Sequence, residues 1–101
     1  MKVNIQSVNF NIDKSLIDFT QIKVNNLDKF HDKIIEADVY LKVQNTSDKE
    51  NKIVDIKLNI PGDEFIVKKQ CKSFEEGVDL AIGALKRQLR KKKDKLRTHQ
   101  I

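Results

Sequence analysis

Residues 35–43 read IEADVYLKV, and this stretch decides the fold. Apolar residues occupy every second position, which predicts a β-strand with one buried face and one face in water. The positions assigned to the buried face are Ile35, Ala37, Val39, Leu41 and Val43. A half-buried strand needs neighbouring strands and a second layer over its apolar face, so a sheet covered by helices is expected.

The sequence after this strand predicts a hairpin. A polar loop at 45–51 leads into a third strand, and a fourth is predicted over 64–72. The alternating apolar residues of the third strand are Val54, Ile56, Leu58 and Ile60. Pro61-Gly62 between the two strands is typical of a type II turn, because Pro fixes φ at the first central position and Gly supplies the positive φ of the second.

The amino-terminal part predicts a strand over 2–7 and then a helix. Asp13 is the expected N-cap of that helix, because its carboxylate can accept from the free N–H groups of the first turn. The apolar stripe predicted for the helix consists of Leu16, Phe19, Val24, Leu27 and Phe30, with His31 at its end.

The carboxy-terminal part predicts a second, longer helix. Ser73 and Glu76 form a capping box, in which each side chain satisfies a backbone N–H of the other residue. The apolar stripe consists of Val78, Ala81, Ile82, Leu85, Leu89 and Leu96. The predicted order is therefore β-α-β-β-β-α. We expect one α+β domain over 1–101, a two-layer sandwich whose four-stranded sheet carries both helices on one face.

Charge is concentrated at the carboxy-terminal end of the chain. Residues 86–101 hold eight basic residues against Asp94 alone, a charge of +7, whereas the rest of the chain sums to −2. Such a concentrated cationic helix predicts an anionic partner, and RNA or DNA phosphate fits best. Because aromatic residues are few and only Tyr40 is a candidate for base stacking, binding is expected to depend on phosphate and shape.

Helical spacing arranges these cations in two rows. Arg87, Lys91 and Lys95 share one face, and the neighbouring row consists of Lys86, Arg90, Lys93 and Arg97. Lys23 lies at the edge of the first helix's apolar stripe. Its stem could simply cover the core, or its ammonium could contact phosphate beside the second helix.

Other classes of function have little support in the sequence. Cys71 is the only cysteine, His31 and His99 lack ligand partners at useful spacing, and no nucleotide-binding or metal-binding motif is present. We therefore expect no enzymatic activity, no metal and no cofactor. The chain also has no leader-like or membrane-spanning apolar run, so a cytoplasmic protein without a membrane partner is expected.

Several segments resemble the ribosome hibernation-promoting factor family, which includes ribosome-associated inhibitor A and was once described as sigma-54 modulation proteins. The resemblance spans nearly the whole chain and is most specific in the second helix, at Arg87-Gln88-Leu89, Lys91 and Lys93-Asp94-Lys95-Leu96. The further matching positions are Asn4, Ile5, Leu16, Phe19, Lys23, Leu27, Phe30, Val39, Leu41, Lys42 and Val43.

This resemblance implies a fold similar to a double-stranded-RNA-binding domain, and it implies a function. The family's role is to bind the small ribosomal subunit in the channel of messenger and transfer RNA and to stop translation in starvation or stationary phase. The residues implied as contacts to ribosomal RNA are Lys23, Arg87, Arg90, Lys91, Lys93 and Lys95. Off the ribosome, a monomer is expected.

The chain departs from the family pattern in two respects. Ala84 stands where members often carry lysine, so the basic face starts one turn later. The chain is also expected to be the short form, without a dimerisation domain, which leaves ribosome dimers and inactive single ribosomes both open. Two other hypotheses compete: a general double-stranded-RNA binder, and an interfacial protein that lays its basic helix on an anionic membrane.

Overall fold

The chain forms the β-α-β-β-β-α order that its sequence pattern predicts. The computed structural model describes residues 1–44, 47 and 49–99, with the backbone alone described for 93–99. The elements are β1 (Lys2–Val8), α1 (Lys14–Asn25), a 3₁₀ turn (Asn26–Lys29), β2 (Glu36–Val43), β3 (Lys52–Ile60), β4 (Asp63–Cys71) and α2 (Phe74–His99). None of the helices in these ranges has the length and apolar character needed to cross a lipid bilayer.

The four strands form one mixed sheet in the order β1-β2-β3-β4. β1 and β2 run parallel, which requires the crossover that α1 provides. β2, β3 and β4 follow one another antiparallel, with Val39 opposite Ile56 and Ile56 opposite Val67. This register places the apolar alternate positions of all four strands on the same face of the sheet.

Both helices pack on that apolar face and leave the other face open, so the prediction of a two-layer α+β sandwich is confirmed. The core lies between the layers. Its largest fully buried apolar side chains are Leu27, Leu41, Ile56, Leu58, Leu85, Leu89, Val24, Val39, Val54 and Val78. At one end of the core, the Phe10 ring stacks on Phe74 with 4.7 Å between centroids.

α1 begins as predicted but ends earlier. Asp13 is the N-cap, and its Oδ1 accepts from the backbone N–H of Leu16 at 3.0 Å. The α-helix stops at Asn25 and continues as the 3₁₀ turn, because Asn25 and Asn26 have low helix propensity. The tighter turn still directs Leu27 into the core, so the apolar stripe survives the change of helix type.

The assignment of Ile35 to the buried face was wrong. Ile35 precedes β2 and its side chain is 57% exposed, whereas Ile34 is only 6% exposed. The backbone of Ile35 is nevertheless paired on both sides, with its N–H donating to Asn59 and its carbonyl accepting from Lys2. The buried alternation therefore starts at Ala37, and the loop before β2 places Ile34 in the core instead.

The β3–β4 turn and the start of α2 agree with the sequence in their main features. Gly62 has a φ of +78°, which is the value that the second central position of a type II turn requires. Ser73 Oγ accepts from the backbone N–H of Glu76 at 3.2 Å. The second hydrogen bond of a full capping box, from the backbone N–H of Ser73 to the Glu76 side chain, is not formed between these two described residues.

Candidate nucleic-acid interface

The basic surface is carried by the exposed side of α2. Leu85 and Leu89 point into the core and are both 0% exposed. Arg87, Arg90 and Lys91 lie on the opposite, solvent-exposed side of the helix. The burial of Leu85 and Leu89 also removes the apolar face that the membrane hypothesis would need at the lipid surface.

Lys93 and Lys95, which the sequence also assigned to RNA contacts, have side chains outside the described part of the chain. Their backbone continues α2, which extends to His99. The loop residues 45, 46 and 48 and the last two residues, 100 and 101, lie outside the described ranges as well.

Lys23 lies beside α2, as the phosphate-contact hypothesis required. Its Nζ is 3.3 Å from Asp79 Oδ1 of α2 and 5.5 Å from the centroid of the Phe19 ring. The Lys23 side chain is 41% exposed, so water reaches the ammonium. The ammonium lies over Phe19 at the edge of the apolar stripe and stays at the surface, whereas its contact with phosphate stays a prediction.

The position of Asp79 shows which row of α2 Lys23 extends. Lys86 and Arg90 follow Asp79 by seven and eleven positions, the spacing of residues on one side of a helix. Arg87 and Lys91 lie on the adjacent, more outward side. Lys23 therefore extends the row of Lys86 and Arg90, at a distance of roughly 10 Å along the helix axis from Lys86.

Two cations of α2 have partners within the protein, which the sequence analysis did not anticipate. Lys86 Nζ lies 4.9 Å from the centroid of the Phe30 ring, a cation–π contact. Lys92 Nζ donates to Asp63 Oδ2 at 2.6 Å, and the Lys92 side chain is 28% exposed. This hydrogen bond lowers the pKa of Asp63, with a further hydrogen bond from the Glu64 backbone acting in the same direction.

The open face of the sheet has a different character. By strand register it carries four lysines and four acids, which cancel: Lys2, Lys42, Lys57, Lys68, Glu36, Asp38, Asp55 and Glu64. The Asn4 amide donates to Asp38 Oδ1 at 2.9 Å, and the Asn59 amide donates to Glu36 Oε1 at 3.2 Å. Tyr40 is exposed on this face. The excess positive charge is therefore confined to the helical layer.

Cys71 and His31 are the two side chains considered for nucleophilic or metal chemistry whose surroundings the structure describes. Cys71 is buried, and burial raises the pKa of its thiol, which disfavours the nucleophilic thiolate. His31 Nδ1 accepts from the backbone N–H of Lys33 at 3.1 Å, a local turn contact. Within the described ranges no group of three or more His, Cys, Asp or Glu residues is placed to hold a metal ion.

Comparison with known proteins identifies the family. The sequence model described as "Sigma 54 modulation protein / S30EA ribosomal protein" matches residues 3–97. The chain belongs to this family. The match includes both helices and all four strands, so the resemblance seen in the sequence is confirmed.

Relatives within this family carry consistent names. The chain is 33% identical to a ribosome hibernation promoting factor of Klebsiella oxytoca over 99 residues, which are 98% of this chain and all of the relative. It is 32% identical, with the same coverage, to the protein of that name in Escherichia coli K12. A ribosome hibernation promotion factor of Bacillus subtilis is 29% identical, and the match covers 95% of this chain and half of the longer relative.

Solved structures share the fold of this family member at low sequence identity. A ribosomal subunit interface protein from Coxiella burnetii superposes with a TM-score of 0.82 at 23% identity, over 93% of this chain and 99% of the other. The amino-terminal domain of Protein Y from Thermus thermophilus gives 0.77 at 21% identity, over 90% and 98%. The likeness to double-stranded-RNA-binding domains stays a prediction.

Proposed function

We propose that this protein is a ribosome hibernation factor that binds the small ribosomal subunit and stops translation. The binding surface is the exposed side of α2 together with Lys23, and the ligand is ribosomal RNA in the channel of messenger and transfer RNA. The role is non-enzymatic, because occupying the channel is enough to exclude both RNAs. We further propose that the protein acts in the cytoplasm as a monomer, during starvation or stationary phase.

The observation that carries this proposal is the placement of charge in a chain of this family. Arg87, Arg90 and Lys91 are exposed on one helix, and Lys23 adds a cation from the neighbouring helix. Phosphate contacts of this kind supply most of the affinity of proteins that bind nucleic acid without reading bases. The names of the relatives point to the ribosome as the source of the phosphates.

The test is co-sedimentation of the purified protein with small ribosomal subunits, in the presence of excess plain duplex RNA. The variant Arg87→Glu/Lys91→Glu/Lys95→Glu reverses the proposed surface. Its matched control is Lys14→Glu/Lys42→Glu/Lys72→Glu, which changes the net charge equally. Lys14 and Lys72 lie at the starts of the two helices, where acids are tolerated by the helix dipole, and Lys42 lies on the open sheet face.

We expect the wild-type protein and the control to co-sediment with the subunit, and the α2 variant to lose binding by more than about a hundredfold, since several phosphate contacts become repulsive. Retained binding of the α2 variant would exclude this surface. Equal affinity of the wild-type protein for plain duplex RNA and for the subunit would instead support a general double-stranded-RNA-binding protein.

A further inference from the structure

The inner stripe of α2 changes character where the core ends. Leu85 and Leu89 are buried, and the next position on the same side of the helix is Lys92. Lys92 is the last residue of α2 whose side chain is described, and it still contacts the body of the protein through Asp63. The helix continues for seven more residues, to His99, and carries three further cations. Lys92 thus lies between the packed half of α2 and its basic extension.

Asp63, the partner of Lys92, is held in place by contacts within its own hairpin. Asp63 is the first residue of β4 and follows the Pro61-Gly62 turn directly. Its register partner is Ile60, which is 4% exposed, so Asp63 lies on the helical side of the sheet. Asp63 Oδ1 accepts from the backbone N–H of Glu64 at 2.8 Å, which leaves Oδ2 for Lys92 at 2.6 Å.

We propose that Asp63 is a positioning residue for RNA binding: its contact with Lys92 fixes the direction of the basic extension of α2. This inference rests on the proposed function for its RNA readout. Leu96, which the predicted apolar stripe includes, has its side chain outside the described part of the chain. The charge-assisted hydrogen bond of Lys92 is the last side-chain contact with the sheet along the described part of α2. A fixed extension presents its cations to the phosphates of the subunit without first paying the entropy of ordering.

For the substitution Asp63→Asn, the proposal predicts a change in RNA affinity that is opposite in sign to the change expected from net charge alone. Asp63→Asn removes a negative charge beside a basic surface, which by itself should strengthen binding to RNA. If Asp63 positions the extension, the same change should weaken binding to the subunit. Asp55→Asn is the matched control, because Asp55 lies in β3 on the open face of the same sheet and its replacement changes the net charge equally.

Two measurements on the full chain test this inference. In the free protein, amide hydrogen exchange of residues 90–97 should be about twofold to fivefold faster in Asp63→Asn than in wild type or Asp55→Asn, the range expected for losing one partly exposed ion pair. On small subunits, Asp63→Asn should bind about twofold to fivefold more weakly than Asp55→Asn. The swap Asp63→Lys/Lys92→Glu restores an ion pair at unchanged net charge and should recover the slow exchange.

The two readouts separate this inference from the proposed function. If Asp63→Asn leaves exchange at 90–97 unchanged, or binds subunits as tightly as Asp55→Asn, Asp63 has no positioning role. If exchange rises as expected but wild type itself fails to bind subunits, the contact orders α2 and the ribosomal function is wrong. Lys92→Gln alone should also accelerate exchange at 90–97, and adding Asp63→Asn to it should cause no further acceleration. Additive acceleration in the double variant would contradict a contact shared by the two residues.

Discussion

Gly77 and Gly83 both lie within α2, yet their surroundings differ. A Cβ on Gly77 would lie 2.6 Å from Val54 Cγ2, inside the packed contact between α2 and β3. A Cβ on Gly83 would meet nothing nearer than the Arg87 guanidinium at 3.8 Å, an ordinary contact. We therefore expect Gly77→Ala to destabilise the protein by about 1–2 kcal/mol. Gly83→Ala should stabilise it by about 0.5–1 kcal/mol, the helix propensity gained.

Denaturant unfolding of the two alanine variants measures both changes. Helix propensity alone predicts stabilisation at both positions, so a loss of stability at Gly77 alone shows the effect of packing against β3. A stabilised Gly77→Ala would mean that α2 and β3 can separate to admit a methyl group without loss of packing.

Thr20 presents a second local problem. It is 0% exposed in α1, and its hydroxyl has no hydrogen-bond partner among the described residues. A buried hydroxyl without a partner carries a desolvation cost, and valine has nearly the same shape. We expect Thr20→Val to raise the free energy of unfolding by about 1 kcal/mol. Thr20→Ser keeps the hydroxyl and removes a buried methyl, so it should lower that free energy, and a stabilising effect there would refute the explanation.

At the scale of elements, the ion pair between α1 and α2 makes a testable claim about Lys23. If Lys23 contacts RNA phosphate as proposed, Asp79 competes with that phosphate, because its Oδ1 lies 3.3 Å from the Lys23 Nζ. Because an exposed pair contributes at most about 1 kcal/mol, we expect Asp79→Asn to tighten binding to small subunits by about twofold to fivefold. Asp18→Asn is the control, because Asp18 is an exposed acid that lies in the second turn of α1, as Asp79 lies in the second turn of α2. In a Lys23→Gln background the two variants should bind equally, and a persisting advantage of Asp79→Asn would show that only net charge matters.

The helices and strands were predictable where the period of the apolar residues and the turn or cap residues at the ends indicated the same element. Alternation located β2 and β3, the Pro61-Gly62 turn indicated where β4 begins, and Ser73 located the start of α2, because these signals are local. The errors fell at the ends of elements. Alternation extended back from Ala37 selected Ile35, but Ile35 precedes β2, where a period of two no longer applies. The 3₁₀ turn at Asn26–Lys29 keeps Leu27 in the core just as a helix would.

The candidate site was predictable in part for the same reason. Exposed cations at Arg87, Arg90 and Lys91 follow from helical spacing alone. The internal partners of Lys86 and Lys92 do not, because Phe30 and Asp63 are distant in sequence and meet α2 only once the sheet and helices have packed. The stripe position of Lys92 after Leu85 and Leu89 was the one available signal that this lysine faces inward.

On the scale of the whole molecule, charge is separated between the two layers. The helical layer carries the exposed cations of α2, whereas the open sheet face has equal numbers of lysines and acids. A molecule of this kind should approach polyanionic RNA with α2 leading, since the field is strongest there. The acids Glu75 and Glu76 at the start of α2 strengthen this polarity along the helix.

This separation predicts that the position of a lost cation matters more than the net charge. Arg87→Gln/Lys91→Gln should reduce the steepness with which log K for small subunits falls with log salt concentration, by roughly 1.5 for two phosphate contacts. Lys42→Gln/Lys68→Gln removes the same charge from the open sheet face and should leave the steepness unchanged, because those lysines lie among balancing acids, outside the proposed RNA-binding surface. Titrations of both variants at several salt concentrations compare the two slopes directly. Equal reductions would mean that RNA responds to the total charge of the protein, and the assignment of α2 as the contact surface would then lose its physical basis.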